Sequence, residues 1–520
     1  MLTLDRGASS IPSLPKERQL PSVPDNRPVI VGVGQHTVRD GAEAAIEPID
    51  MMALVARKAE EDAETKGLLA RADSLRVINV FSWRYSEAPA LLAERIGAAP
   101  GEKLYTTLGG NSPQWQANEA AEAIAKGDVK VALIAGAEAV NTTRRARQSG
   151  VELPWTPHGG KAEMVGDRRM GGKEIEITHG AAAPIQVYPL FENALRAHKG
   201  RSLEEHRRSL SRLCGGMSAT AAQNPYAWFR DGKPGDQIVT PTAENRYVGF
   251  PYTKYMNAIM DVDMAAALIM TSAGEARRLG IPEAKWVYLL GSGDATDIWF
   301  WSDRPNFYSS RAIERCGRRS FESAGVTIDD INYFDLYSCF PIAVEIACDM
   351  LGIPDGDARP LTMTGGLPYF GGPGNNYTTH GIASMVERLR AEPGTRGLVT
   401  AIGWYITKHA AGIYSTTPGD AEWSRPDMTA DQREIDTMPH PELVDQPDGP
   451  ATIETYTVTH DREGKAELGI VVGLLGDGRR FIANVAGDAE VLAGMTQREM
   501  VGVSGRVRHD AAAGKNLFEL

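Results

Sequence analysis

The stretch Thr106-Thr-Leu-Gly-Gly-Asn-Ser-Pro-Gln-Trp115 decides the fold. Ser112 and Pro113 read as a helix start. A serine hydroxyl can cap orphan N–H groups, and proline suits the first turn, where its missing N–H costs nothing. Ala117, Ala120, Ala121, Ala123, Ile124 and Ala125 continue a small-residue helix to Lys126, Gly127-Asp128 ends it, and Val129 to Gly136 reads as a buried strand. A glycine turn thus sits on a helix N-terminus, where free N–H groups and the positive dipole end favour developing negative charge. That arrangement is used to present a nucleophile, and this stretch carries none.

Upstream, Pro28 to Gln35 reads as a buried strand ending in glycines, Pro48 to Lys66 as an amphipathic helix, Ser74 to Phe81 as a strand, Ala88 to Ile96 as a helix and Leu104 to Thr106 as a short strand. Gly32 and Gly34 lack the full dinucleotide-binding glycine fingerprint. The alternation βαβαβαβ implies a parallel sheet with helices on both faces. Residues 140–255 break this rhythm with many charges and the helical pieces Pro189 to Lys199 and Ser202 to Asn224, and Asp263 to Ser272 closes a first half. The pattern then repeats. Trp286 to Gly291, Ile331 to Leu336, Gly397 to Gly403 and Ala411 to Thr416 read as strands, and Phe307 to Ala324, Pro341 to Leu351 and Thr378 to Arg390 as helices. Two such halves meeting loop to loop place a site between them.

Residues 1–27 carry four prolines and read as a poorly ordered arm, and 419–448, rich in Pro, Asp and Glu, as a linker. From 449 to 520 the composition changes: Ala451 to Thr459 alternates strongly, and Leu468 to Leu475, Arg480 to Val485, Met500 to Arg508 and Asn516 to Glu519 complete a small β-module. The chain has 520 residues, 42% apolar and 23% charged, with net charge −12, which argues against nucleic acid as a partner. Its four cysteines show no C-x-x-C pair and no metal-ligand spacing, which suits a reducing cytoplasm and no metal site. Transmembrane-length apolar runs and a signal pattern are absent from the sequence.

Taken in order, these blocks resemble the thiolase superfamily, in which a loop, a reactive Cys, a small-residue helix, Gly-Asp and a strand ending in Gly-Ala-Glu follow one another. The family Cys lies seventeen residues before the Gly of Gly-Asp, which falls here on Gly110. The Asn-Glu-Ala-Phe or His-Asp-Cys-Phe motif resembles Tyr337-Ser338-Cys339-Phe340, Gly-His-Pro resembles Gly371-Gly372-Pro373, and Cys-x-Gly resembles Ala401-Ile402-Gly403. Gly110, Tyr337, Gly372 and Ala401 therefore replace all four reactive side chains. The resemblance implies an α/β fold of two βαβαβαββ halves (28–275 and 276–418) in five αβαβα layers. It also implies an inserted loop domain at about 140–255, an OB-like C-terminal domain, and a homodimer or tetramer joined through the first half.

Thiolase-like function implies an acyl-CoA thioester as ligand, with coenzyme A as part of the substrate and no tightly bound cofactor. Acyl transfer through an enzyme thioester needs a thiolate, which Gly110 and Ala401 do not supply; Cys339 reads as a packed thiol. What remains is retro-aldol chemistry on a β-hydroxy thioester, in which a base removes the hydroxyl proton and donors hold the enolate. The candidates are Tyr337, provided its pKa falls well below 10, then Tyr377 and His380 in Asn375-Asn-Tyr-Thr-Thr-His-Gly381, and His409. The bland readings stand beside these: structural histidines, a Tyr337 that fills the hole left by lost side chains, and a non-catalytic CoA-binding scaffold whose β-module recruits a protein partner.

Overall fold

The computed structural model describes residues 23–39, 45–419 and 422–520. Its strands are, in chain order, β1 (Pro28–Thr37), β2 (Ser74–Val77), β3 (Glu102–Tyr105), β4 (Val131–Ala139), β5 (Tyr247–Gly249), β6 (Tyr252–Thr253), β7 (Asp263–Ser272), β8 (Val287–Thr296), β9 (Tyr333–Asp335), β10 (Arg396–Gly403) and β11 (Lys408–Ser415). Then follow β12 (Asp448–His460), β13 (Ala466–Leu475), β14 (Arg480–Val485), β15 (Ser504–Asp510) and β16 (Lys515–Glu519).

Nine of these strands form one sheet in the order β3-β2-β4-β7-β1-β8-β11-β10-β9. The halves meet at its centre, where β1 and β8 pair through Val29↔Tyr288 and Ile30↔Val287. The sheet is mixed, which corrects the parallel expectation. Only β2/β3, β2/β4 and β9/β10 run parallel, because β7 returns from the inserted region and enters antiparallel between β4 and β1. Helices Ser112–Lys126 and Tyr377–Ala391 lie at the centre, and their apolar faces share one core with β1, β4, β7, β8 and β10. Small residues at 117, 120 and 121 let the first of them approach closely. Helix Pro48–Asp62 covers β1 and β7, and helix Arg311–Ala324 covers β8 and β11. The duplication read from the sequence is thus realised in space.

The C-terminal strands close a five-stranded barrel, β12-β13-β14-β16-β15 and back to β12, with β14 and β16 parallel. The inserted region adds its β5–β6 hairpin to this sheet through Thr459↔Gly249. Residues 419–448 are no bare linker. They contain helix Thr429–Asp436, whose buried Asp431 accepts from Arg318 (2.5 Å) and Arg319 (2.7 Å). Of the expected arm, residues 1–22 lie outside the described residues. Residues 23–27 instead dock on the body, with Val23 against the core and Arg277 donating to Asp25. No helix of the described residues is long and apolar enough to cross a membrane.

Candidate functional site

The loop 107–111 is held from both halves. Gly109 N–H donates to Asn375 Oδ1 (2.7 Å), Asn375 Nδ2 donates to Asn79 O (2.9 Å), and Thr378 Oγ1 donates to Gly110 O (3.0 Å). The start of helix Tyr377–Ala391 thus clamps the start of helix Ser112–Lys126. A Cβ at Gly110 would lie 2.0 Å from Tyr337 Oη and 2.6 Å from Ile402 O. The Tyr337 hydroxyl therefore fills the space into which a side chain at 110 would project. Tyr337 comes from the turn after β9, is pinned by its N–H on Thr400 Oγ1 (2.9 Å), and meets Tyr377 edge-on at 5.5 Å.

Burial holds the Tyr337 phenol well above its ordinary value, and Cys339 and Tyr377 push the same way. A general base needs the opposite shift, so the base role expected of Tyr337 lacks its physical precondition. Tyr377 is fully buried, its hydroxyl 2.5 Å from Thr364 Oγ1 in a cluster organised by Asp335. Burial raises its phenol as well. His380 faces away from the loop. Its Nδ1 pairs with Gln35 Oε1 at 2.9 Å, Phe370 packs on its ring, and burial drives its pKa down to about 3, so it is neutral.

The remaining expected positions disperse. Gly372 is walled by Ile259 and Leu367. Ala401 is buried in β10 opposite Ala410. Cys339 is packed against Tyr188, and burial pushes its thiol up to about 12. His409 Nε2 sits 3.0 Å from Ile406 O and 3.4 Å from Asp297 Oδ2. The structure brings Gly110, Tyr337 and Tyr377 together, packs Phe370 against both Tyr377 and His380, and places His409 in a separate cavity beside Asn111 and Lys408.

Sequence reasoning missed Lys408. Its chain threads between Gly109 and Gly403, where a Cβ would fall 2.7 Å from Nζ and 2.9 Å from Cε respectively. Its Nζ donates to Leu108 O, and burial lowers its pKa to about 8. The available signal was a charged residue at the head of the otherwise apolar β11. Also missed was a groove of about 420 Å³ between helix Leu203–Gln223 and helix Pro341–Leu351, floored by Met217, Val344, Leu361 and Thr362. At its mouth it shares Ser209 and Arg212 with a basic recess carrying Lys199, Arg201 and Arg208. Arg212 is exposed and forms no ion pair among the described residues. Met217 packs over Gly366, next to Ser338, so the groove floor abuts the Tyr337 turn.

One group among the described residues has metal-ligand proximity: Glu192, His206 and Glu345, with ligand atoms within 4.8 Å of one another. Glu192 already pairs with His206 Nε2 and Tyr252 Oη, both at 2.5 Å, and Glu345 accepts from Arg201 at 3.0 Å. Burial raises both carboxyls and lowers His206 to about 4. The cluster joins three helices as a hydrogen-bonded, charge-poor network.

This geometry has relatives. A crystal structure described as a monomeric SCP2-thiolase like protein type 1 from Mycobacterium smegmatis superposes with a TM-score of 0.82 at 34% identity, covering 95% of this chain and 99% of that one. The chain belongs to the SCP2-thiolase-like proteins of type 1. The family model for the thiolase-like protein type 1 additional C-terminal domain matches residues 431–512, which take in most of helix Thr429–Asp436 and strands β12 to β15 of the barrel. Among curated relatives, Sterol carrier protein 2 of Homo sapiens is 24% identical over 200 residues, 34% of each chain. The Benzoylsuccinyl-CoA thiolase subunit BbsB of Thauera aromatica is 26% identical over 200 residues, 38% of this chain and 48% of that one. The chain spans about a third to a half of the length of these curated relatives. Within this SCP2-thiolase-like framework, the filled socket at Gly110 is the feature that bears most on chemistry.

Proposed function

We propose that this SCP2-thiolase-like protein binds an acyl-CoA thioester and forms no acyl-enzyme at position 110. The observation that carries the reading is the Tyr337 hydroxyl in the space where a side chain at 110 would stand. A phenol kept protonated by burial neither attacks a thioester carbonyl nor takes a proton at neutral pH. This weakens the retro-aldol reading through Tyr337, Tyr377 or His380 and favours binding.

The groove beneath helix Leu203–Gln223 supports the ligand class. Its apolar floor suits a pantetheine arm or short acyl chain, and the guanidinium groups at its mouth suit phosphates, which arginine holds by paired N–H donors. The thioester class also agrees with the Thauera aromatica relative being a subunit of a benzoylsuccinyl-CoA thiolase. The test is calorimetric and thermal titration of the full chain with acetyl-CoA and longer acyl-CoAs, followed by intact mass. Saturable binding is expected, with a stabilisation of about 2.7 kcal/mol at a hundredfold excess over Kd. Arg212→Glu should weaken binding, and no acyl adduct should appear. Lack of binding to any CoA species, or an adduct mapped to Cys339, overturns the reading.

A further inference from the structure

A second cavity, of about 190 Å³, is lined by the 107–111 loop but not by Tyr337, and the acyl-CoA reading leaves it unused. Lys408 lines it together with Asn111, Ser112, Thr296 and the titratable Asp167, Asp294 and His409. We propose that this cavity is a carbonyl-binding site in which the Lys408 amine condenses with a small aldehyde or ketone.

Lys408 is 7% exposed, and its ammonium has no ion pair within 4.0 Å among the described residues. Its hydrogen-bond acceptor is the neutral carbonyl of Leu108. A buried ammonium held by one neutral acceptor is poorly compensated, which favours the free amine, and its pKa accordingly lies near 8. The slot is shaped for this side chain, because glycine at both 109 and 403 is what leaves room for it. A second observation points to a ligand. Asn111 Oδ1 is buried, has no hydrogen-bond donor, and belongs to a residue lining the same cavity. A buried acceptor left open costs about 1–3 kcal/mol, and a hydroxyl hydrogen arriving in the cavity would satisfy it. The volume restricts the occupant to a small carbonyl compound rather than a thioester with its pantetheine arm.

The chemistry balances without a redox partner. The neutral amine forms a C–N bond to the carbonyl carbon while the carbonyl π pair moves to oxygen. The nitrogen loses a proton and the oxygen gains one, giving a carbinolamine whose hydroxyl can donate to Asn111 Oδ1. Loss of that oxygen as water leaves the C=N bond. Water entering with the carbonyl compound takes the nitrogen's proton and returns it for the departing water, since Asp167 on the cavity wall is already engaged by Arg169 (2.6 Å).

The test uses the full chain with hydroxyacetone or acetaldehyde, a short borohydride quench, and peptide mapping, with no CoA species present. The outcome is therefore independent of acyl-CoA binding. Expected is one dominant adduct on Lys408, forming roughly fivefold faster at pH 8 than at pH 7 and levelling off above pH 8. Surface lysines, titrating near pH 10, should keep accelerating. Lys408→Gln should remove that adduct and spare the surface ones. Mapping of the unmodified chain keeps the test valid if the variant does not fold. Labelling of surface lysines with the Lys408 peptide unmodified, or labelling of Lys408 that follows the surface pH profile, overturns the proposal.

Discussion

Gly110 and Tyr337 behave as one change made in two places, since the hydroxyl of one fills the space left by the missing side chain of the other. Gly110→Ala should therefore destabilise the chain by about 1–3 kcal/mol, as overpacking does. Tyr337→Phe alone should cost little. In the double variant part of the loss should return, because the 2.0 Å contact with Oη goes while Ile402 O at 2.6 Å and Tyr337 Cζ at 2.7 Å remain. Denaturant melts of the four proteins measure the coupling, for which about 0.5–3 kcal/mol is expected between contacting residues. Additive effects would refute the shared space. The sequence singled out Gly110 and Tyr337 in two separate motifs, because motif order runs along the chain. It left open what Tyr337 does, because whether its ring meets Gly110 or a substrate depends on how two halves, separated by more than two hundred residues, come together. Lys408 was passed over for a related reason: the glycines that make its slot lie in two different segments.

Among the elements, strands with strong alternation were legible and their partners were not. Ala451 to Thr459 alternates and became part of β12, whereas the place of β7 between β4 and β1 has no local signal. Composition misled at 419–448, where acidic residues read as linker although Asp431 is buried against arginines of helix Arg311–Ala324. The same applies to the barrel, which the sequence presents as an appended module. Arg480 of β14 is fully buried, donates to Ser302 O (2.9 Å) and Arg304 O in the thiolase-like body, and pairs with Glu454 (2.7 Å). Asn484 Nδ2 reaches His179 O at 2.8 Å, and Asn516 N–H reaches His179 Nε2 at 2.8 Å. Arg480→Met should remove about 2–3 kcal/mol, somewhat below the roughly 3–5 kcal/mol of a fully buried pair, because Glu454 keeps some solvent contact. Scanning calorimetry should show the barrel melting ahead of the body in the variant and with it in the parent. Two separate transitions already in the parent would show that the barrel is only appended.

For the whole molecule, the dimer expected from the sequence relied on a bare sheet edge in the first half. In the structure the inserted region bridges the end of that edge at Thr106↔Val165. Val165 N–H donates to Tyr105 O and Thr107 N–H donates to Val165 O, both at 2.8 Å, alongside the outer strand β3. Sedimentation equilibrium should return the 56.3 kDa of a single chain across micromolar concentrations, and a mass that doubles with concentration would show another interface at work. The β5–β6 hairpin carries a different consequence, for the order in which the protein can be made. Phe250 N–H donates to Val458 O (2.9 Å), and Asn193 Nδ2 bridges Phe250 O and Tyr456 O (3.1 and 2.9 Å). Residues near 250 thus wait for partners some two hundred positions later, a delay of roughly 10–40 s at ribosomal speed. Through that interval the inserted region emerges with its strand edges unpaired, which makes the nascent chain, more than the finished one, the natural client of chaperones.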